Sequence, residues 1–129
     1  MEYLEPLFQK NCFIQYLDFS NNRFQDQGFK LIAKALHKNA TLLYLNLENC
    51  DLTSASTKDM QRCFSSMKVL ADLNLSRNNL GAKGGIALAE ALISNQNSVL
   101  WRLNVSRCCI DPEGTRHFFN AMRENKKLV

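Results

Sequence analysis

The chain has 129 residues, a length that suits one domain or a piece of one. It is 46% hydrophobic and 22% charged, with 2 Pro and 5 Gly, which excludes a disordered linker and a collagen-like chain. Sixteen Lys and Arg against twelve Asp and Glu leave a net charge of +4, too small to argue for nucleic acid by itself.

Taken in chain order, residues 2–11 read as the helical half of a repeat. Leu4 and Phe8 share one face, Asn11 stands near the end, and Pro6 is tolerable in a first turn. A short alternating pattern then begins at Ile14 with IQYLDFSNNRF. It returns as LLYLNLENCDL from Leu42, LADLNLSRNNL from Leu70 and LWRLNVSRCCI from Leu100, at spacings of 28, 28 and 30 residues. All four obey apolar-x-x-apolar-x-apolar-x-x-Asn/Cys-x-apolar. Leu128-Val129 falls where a fifth copy starts. The chain therefore divides into a partial repeat 1–13, repeats 14–41, 42–69, 70–99 and 100–127, and the start of another at 128–129. All belong to one domain. Because neither end supplies a polar capping repeat, we expect an excerpt from a longer array or a chain that leans on a partner.

Each repeat opens with a predicted strand. Alternation points Leu17/Phe19, Leu45/Leu47, Leu73/Leu75 and Leu103/Val105 into the core. Asn22, Cys50, Asn78 and Cys108 follow, where a small polar side chain satisfies turn backbone that is otherwise buried unpaired. A predicted helix comes next. Gly28, Ser56, Gly84 and Gly114 mark its start, and Ile32/Met60/Leu88/Phe118 and Leu36/Phe64/Leu92/Met122 form its apolar face. Ala35, Cys63, Ala91 and Ala121 lie between them, so Cys63 reads as a stand-in for alanine. Asn39, Asn95 and Asn125 sit at the helix ends, where left-handed caps are expected. Asp59 takes a column that holds Leu31 and Ala87, and we expect its helix to pack less well.

Strand-then-helix units of this length stack into an α/β solenoid. Helices are about 10 Å wide and strands about 4.8 Å apart, so the stack curves into a horseshoe segment with the parallel sheet on the concave face and helices on the convex face. The repeats resemble leucine-rich repeats of the ribonuclease-inhibitor-like subclass, as in ribonuclease inhibitor and NLR-type immune sensors. The long period, the full helices in GFKLIAKALHKN and GGIALAEALISN, and the alternation of Asn and Cys carry that resemblance. It covers essentially the whole chain, and it bears on fold far more than on function.

No apolar run approaches the roughly 18–20 residues of a membrane span, and MEYLEPLFQK lacks a signal-peptide core. The cysteines Cys12, Cys50, Cys63, Cys108 and Cys109 form no C-x-x-C and no zinc spacing, so reduced thiols and a cytoplasmic location are expected. Sequons at Asn39, Asn74 and Asn104 arise within the repeat pattern. No phosphate loop or acid–base pair is identifiable, so we expect no enzyme, no cofactor and no metal.

The strand residues facing away from the core are the candidates for function. They form the columns Tyr16, Tyr44, Asp72, Arg102; Asp18, Asn46, Asn74, Asn104; and Ser20, Glu48, Ser76, Ser106, with Asn21, Asn49, Arg77 and Arg107 beyond. Tyr and Arg are enriched at interface hot spots. We expect a protein partner, neither nucleic acid nor membrane, held on Tyr16, Asp18, Tyr44, Asn46, Glu48, Asp72, Asn74, Arg77, Arg102, Asn104 and Arg107. The charge runs from acidic Asp18 and Glu48 to basic Arg77, Arg102 and Arg107. Alternatives are a structural component of a cytoskeletal or ciliary assembly and, less favoured, a GTPase activator of the Ran-GAP type. Trp101 is expected to be partly buried, Cys109 exposed, His37 solvated and His117 half-buried.

Overall fold

The computed structural model describes residues 6, 8, 13–37, 39–95 and 98–124. Four strands, β1 (Tyr16–Asp18), β2 (Tyr44–Asn46), β3 (Asp72–Asn74) and β4 (Arg102–Asn104), pair in sequence order into one parallel sheet. Each is followed by a helix: α1 (Gln25–Leu36), α2 (Thr57–Ser66), α3 (Gly81–Ser94) and α4 (Pro112–Glu124). A 3-10 turn, Ser54–Ser56, leads into α2. The result is a curved α/β solenoid.

The apolar columns meet between sheet and helices. Leu45, Leu47, Leu73 and Leu75 are buried from the sheet side, and Ile32, Met60, Leu88 and Phe118 from the helix side. Leu17, Phe19, Leu103 and Val105 point the same way but stay partly exposed, because they lie in or just after the outer strands of the sheet. Ala35, Cys63, Ala91 and Ala121 are buried as the close-approach column requires. Phe8 is buried too, while Leu4, Asn11, Cys12 and Asn125 lie outside the described residues, as does the Leu128-Val129 start of a further copy. Met122 is within α4.

The turn residues behave as expected. The Asn78 amide donates to the carbonyls of Leu47 (2.8 Å), Leu75 (2.7 Å) and Ser76 (3.3 Å). Its oxygen accepts from the N–H groups of Cys50 and Leu52, both at 3.1 Å. Cys50 and Cys108 take the same place with fewer bonds, donating Sγ–H to Phe19 O (3.2 Å) and Leu75 O (3.0 Å).

The Asn/Cys alternation also sets the backbone, which composition did not reveal. In the two Asn repeats the left-handed residue falls three places after the Asn, at Gln25 (φ 60°) and Gly81 (φ 63°). In the two Cys repeats it falls one place after the Cys, at Asp51 (φ 58°) and Cys109 (φ 55°). The chain therefore leaves the sheet by two alternating routes.

Several expectations need correction. Asn95 is not a left-handed cap: with φ −90° and ψ 67° it sends its amide to Phe64 O (3.0 Å) and Met67 O (3.1 Å), tying the end of α3 to that of α2. The Asn39 side chain also fastens neighbouring backbone, its oxygen accepting from the Thr41 and Leu42 N–H groups. Asp59 is half-buried in a column where Leu31 is exposed and Ala87 buried, and α2 buries only Met60, Cys63 and Phe64, fewer residues than α1 or α3, so it packs less well, as expected. His37 is not simply solvated, since Nδ1 lies 3.2 Å from Ser66 Oγ. Trp101 is 53% exposed, because its column flanks the strand entry rather than facing the core. Cys109 is exposed and His117 half-buried, as expected.

Candidate functional site

The register of the sheet brings the predicted concave columns into line. Tyr16 stands beside Tyr44, Tyr44 beside Asp72, and Asp72 beside Arg102. Asp18, Asn46, Asn74 and Asn104 align in the same way one pleat further on. These columns exist because successive residues of a strand face opposite sides and the strands pair without slippage.

Within the first column, the Tyr16 and Tyr44 rings lie 5.9 Å apart at 33°. Tyr16 is exposed and Tyr44 half-buried. Burial, then the negative charges of Asp18 and Asp72, push the Tyr44 phenol above its ordinary pKa, so it remains a neutral donor. Arg102 Nη1 lies 3.4 Å from Asp72 Oδ2. That partly exposed pair contributes at most about 1 kcal/mol, but it offsets the basic character expected at this end of the column.

The second column is a hydrogen-bond ladder. Asn46 Nδ2 donates to Asp18 Oδ2 (3.2 Å), and Asn74 Nδ2 donates to Glu48 Oε2 (3.3 Å). Each member also accepts from the N–H two residues on: Asp18 from Ser20, Asn46 from Glu48, Asn74 from Ser76 and Asn104 from Ser106. The Ser20 hydroxyl and N–H, together with the Asn46 amide, outweigh some burial and hold the Asp18 carboxyl below its usual pKa. Asn46 is buried and both ends of its amide are engaged, so it positions Asp18 and Glu48 more than it offers surface.

Beyond the ladder, Asn21, Asn49, Arg77 and Arg107 all have φ between 54° and 61°. Asn tolerates this conformation, whereas Arg adopts it at a cost of about 1 kcal/mol. Asn49 Nδ2 donates to Asn21 Oδ1 at 2.9 Å. Arg77 and Arg107 are exposed in adjacent repeats, at the rim of the same face. Sequence reasoning placed these residues but did not find their backbone state.

Arg77 also borders a shallow cleft with Gln25, Asp26, Asp51, Thr53 and Asn79. Asp26 is its fixed point, accepting from Thr53 N–H (2.9 Å), Thr53 Oγ1 (2.6 Å) and Ser56 Oγ. Burial alone raises the Asp26 pKa, but the Ser56 and Thr53 hydroxyls and the Thr53 N–H outweigh it and hold the carboxyl below its ordinary value. This cross-repeat clamp was missed; the small polar residues of the LTSAST stretch were its only signal. Burial pushes the Cys50 thiol up to about 11 and the Cys63 thiol to about 12, which leaves neither as a nucleophile near neutral pH. Among the described residues no group of three or more His, Cys, Asp or Glu is arranged to hold a metal ion. No helix among them is long and apolar enough to cross a membrane.

A curved parallel sheet with one helix per strand, built on this repeat, defines a class. Residues 10–33, 38–56, 67–89 and 96–116, well over half of the chain, match the Leucine Rich repeat family, and the chain belongs to it. NACHT, LRR and PYD domains-containing protein 4B of Mus musculus is 33% identical over 128 residues, covering 98% of this chain and 15% of that protein. Ribonuclease inhibitor of Mus musculus is 33% identical over 115 residues, 87% of this chain and 25% of the inhibitor. The chain thus spans a minor part of these curated relatives. Among solved structures, Leiomodin-1 Actin-Binding Site 2 superposes with a TM-score of 0.84 over 99% of this chain and 75% of that one, at 20% identity. The Caenorhabditis elegans tropomodulin C-terminal domain gives 0.83 over 98% and 77%, at 13% identity. At such identities the likeness is one of fold.

Proposed function

We propose that the chain is a non-catalytic module that docks a protein partner through its concave sheet face. The observation that supports this is the in-register sheet, which gathers Tyr16, Tyr44, Asp72 and Arg102 into one column. Arg77 and Arg107 extend it, and the acidic side is supplied by Asp18 and Glu48. Tyrosine rings on a preformed sheet lose little freedom on binding, which is what a docking surface needs. The test is affinity capture from cell lysate, wild type against Tyr44→Ala with Arg102→Ala. A partner held by wild type and lost by the folded double mutant is the expected result. Identical captures contradict the concave site.

The comparisons lend more weight to a second form of docking, as a component of a cytoskeletal assembly. Over nearly its whole length the chain shares the shape of Leiomodin-1 Actin-Binding Site 2. On this reading the contact lies on the helix side, and the chain co-sediments with actin filaments. Lys34→Glu with Glu90→Lys then reduces pelleting, while the concave double mutant does not. A chain that stays in the supernatant at all filament concentrations counts against it. We further infer that the repeats are of the ribonuclease-inhibitor-like subclass, divide as 14–41, 42–69, 70–99 and 100–127, and form part of a longer array in a cytoplasmic protein. The Asn/Cys alternation and the full helices support the subclass.

A further inference from the structure

In the column beyond the ladder, the two halves of the sheet differ. Asn21 and Asn49 satisfy one another, the Asn49 amide donating to Asn21 Oδ1 at 2.9 Å. Arg77 and Arg107 hold the same places in the next two repeats. A guanidinium carries donors and no acceptor, so two of them cannot satisfy one another. Among the described residues, neither the Arg77 nor the Arg107 guanidinium has an ion pair or a hydrogen bond, whereas Arg102 is bridged to Asp72 and Arg23 faces Asp51.

Their spacing is set by backbone. Arg77 N–H donates to Ser106 O at 2.9 Å, so the two arginines lie one strand apart, about 4.8 Å. Both are exposed, and both leave the turn from the same left-handed conformation, with φ of 61° and 55°. Neighbouring carboxylates are engaged elsewhere. Asp51 lies 3.9 Å from Arg23, Asp26 is held by Thr53 and Ser56, and Asp111 accepts from Gly114 N–H at 2.8 Å. Ser106 adds a further donor. The Ser76 hydroxyl is buried and donates to Asn74 Oδ1 at 2.7 Å, whereas that of Ser106 is exposed and has no partner among the described residues.

Two adjacent positive charges with unfilled donors call for one oxyanion that reaches both. A single carboxylate neutralises only one of them. A phosphate monoester carries about two negative charges at neutral pH and three acceptor oxygens, which suffice for both guanidinium groups and the hydroxyl. The polar cleft beside Arg77, about 500 Å³, leaves room for the chain that carries the phosphate. We propose that Arg77, Arg107 and Ser106 receive a phosphorylated side chain of the partner protein. The proposal deepens the docking function above and rests on it.

The test is an NMR titration of the isotope-labelled chain, read at the arginine Nε–H signals, which detects weak binding and places it. The probes are three synthetic peptides of one Gly-rich sequence, with phosphoserine, Ser or Glu at the centre. The phosphoserine peptide is expected to shift the Arg77 and Arg107 signals saturably, the Glu peptide to bind about tenfold more weakly, and the Ser peptide to shift neither. Arg77→Asn with Arg107→Asn installs the residue that the first two repeats carry there, which tolerates the left-handed backbone, so the fold is retained. That variant is expected to bind the phosphoserine peptide at least about tenfold more weakly. Unmoved arginine signals, equal affinity for the Glu peptide, or undiminished binding by the double variant overturns the proposal. Tighter binding of a single-stranded DNA than of the phosphopeptide overturns the assignment to a protein partner. If the phosphopeptide fails while wild-type capture still depends on Tyr44, the concave reading stands alone. If both arginines respond while capture ignores Tyr44, only the concave reading falls.

Discussion

At the turn after β3, the Asn78 amide binds three carbonyls and two N–H groups drawn from two repeats. Its counterpart Asn22 is exposed and donates only to Phe19 O (3.0 Å) and Ser20 O (3.1 Å). Removing a buried side chain that leaves several partners unsatisfied costs about 3 kcal/mol or more, whereas an exposed one costs about 1 kcal/mol. Urea unfolding should therefore show Asn78→Ala far more destabilised than Asn22→Ala. Both asparagines were legible as turn residues, but the sequence does not say which is enclosed. The left-handed positions allow a sharper test. A Cβ added at Gly81 meets nothing within 4 Å, so Gly81→Ala isolates the cost of φ 63°, about 1 kcal/mol. The converse change, Gln25→Gly, should stabilise by up to about 1 kcal/mol in the same assay. Asp26 adds a pH dependence. Its carboxyl is held below the ordinary 3.8, so the ionised form stabilises the fold. That contribution is fully present above the unfolded value and fades as pH falls through the lower, folded one. Asp26→Asn should weaken the protein at neutral pH and flatten the acid limb of its stability curve.

Among the elements, the strands were the most legible, because alternate burial and a fixed register leave one possible pairing. The helices were legible through columns four residues apart: Ile32, Met60, Leu88 and Phe118 are buried, as are Leu36, Phe64 and Leu92. Element ends were not. Asn39 and Asn95 look like helix caps by residue type, yet each uses its side chain to fasten neighbouring backbone. The two routes from sheet to helix were also hidden, since Gln25, Asp51 and Cys109 are not residues that announce a positive φ. Cysteine chemistry follows from these placements. Cys109 projects from such a turn into solvent, while Cys50, Cys63 and Cys108 are enclosed. Iodoacetamide on the native protein, followed by mass spectrometry, should modify Cys109 and spare those three. Rapid modification of Cys63 contradicts the packing of α2 against α3.

For the whole molecule, translation along the stack turns short motifs into surfaces. A single YLN strand has no site, whereas four strands in register make a concave face with an aromatic end, an acid-bearing ladder and an arginine rim. The composition of that face was legible, because it follows from the repeat alignment alone. Its internal pairing was not. The Arg102–Asp72 bridge and the engagement of Asn46 emerge only from three-dimensional spacing, and both moderate the charge gradient read along the chain. Trp101 was misjudged too: it shares a column with Gln15, Leu43 and Ala71 just before the strand, and partial burial was expected, but that column lies at the rim. The claim on which the account turns is that a protein docks on the sheet side. The most direct measurement is site-specific photo-crosslinking in cell lysate, with benzoylphenylalanine at Tyr44 in one sample and at Lys30 on the helix side in another. The account predicts a discrete protein adduct from position 44, competed away by excess unlabelled chain, and none from position 30. A competed adduct from position 30 alone would contradict the concave site and assign the docking surface to the helices.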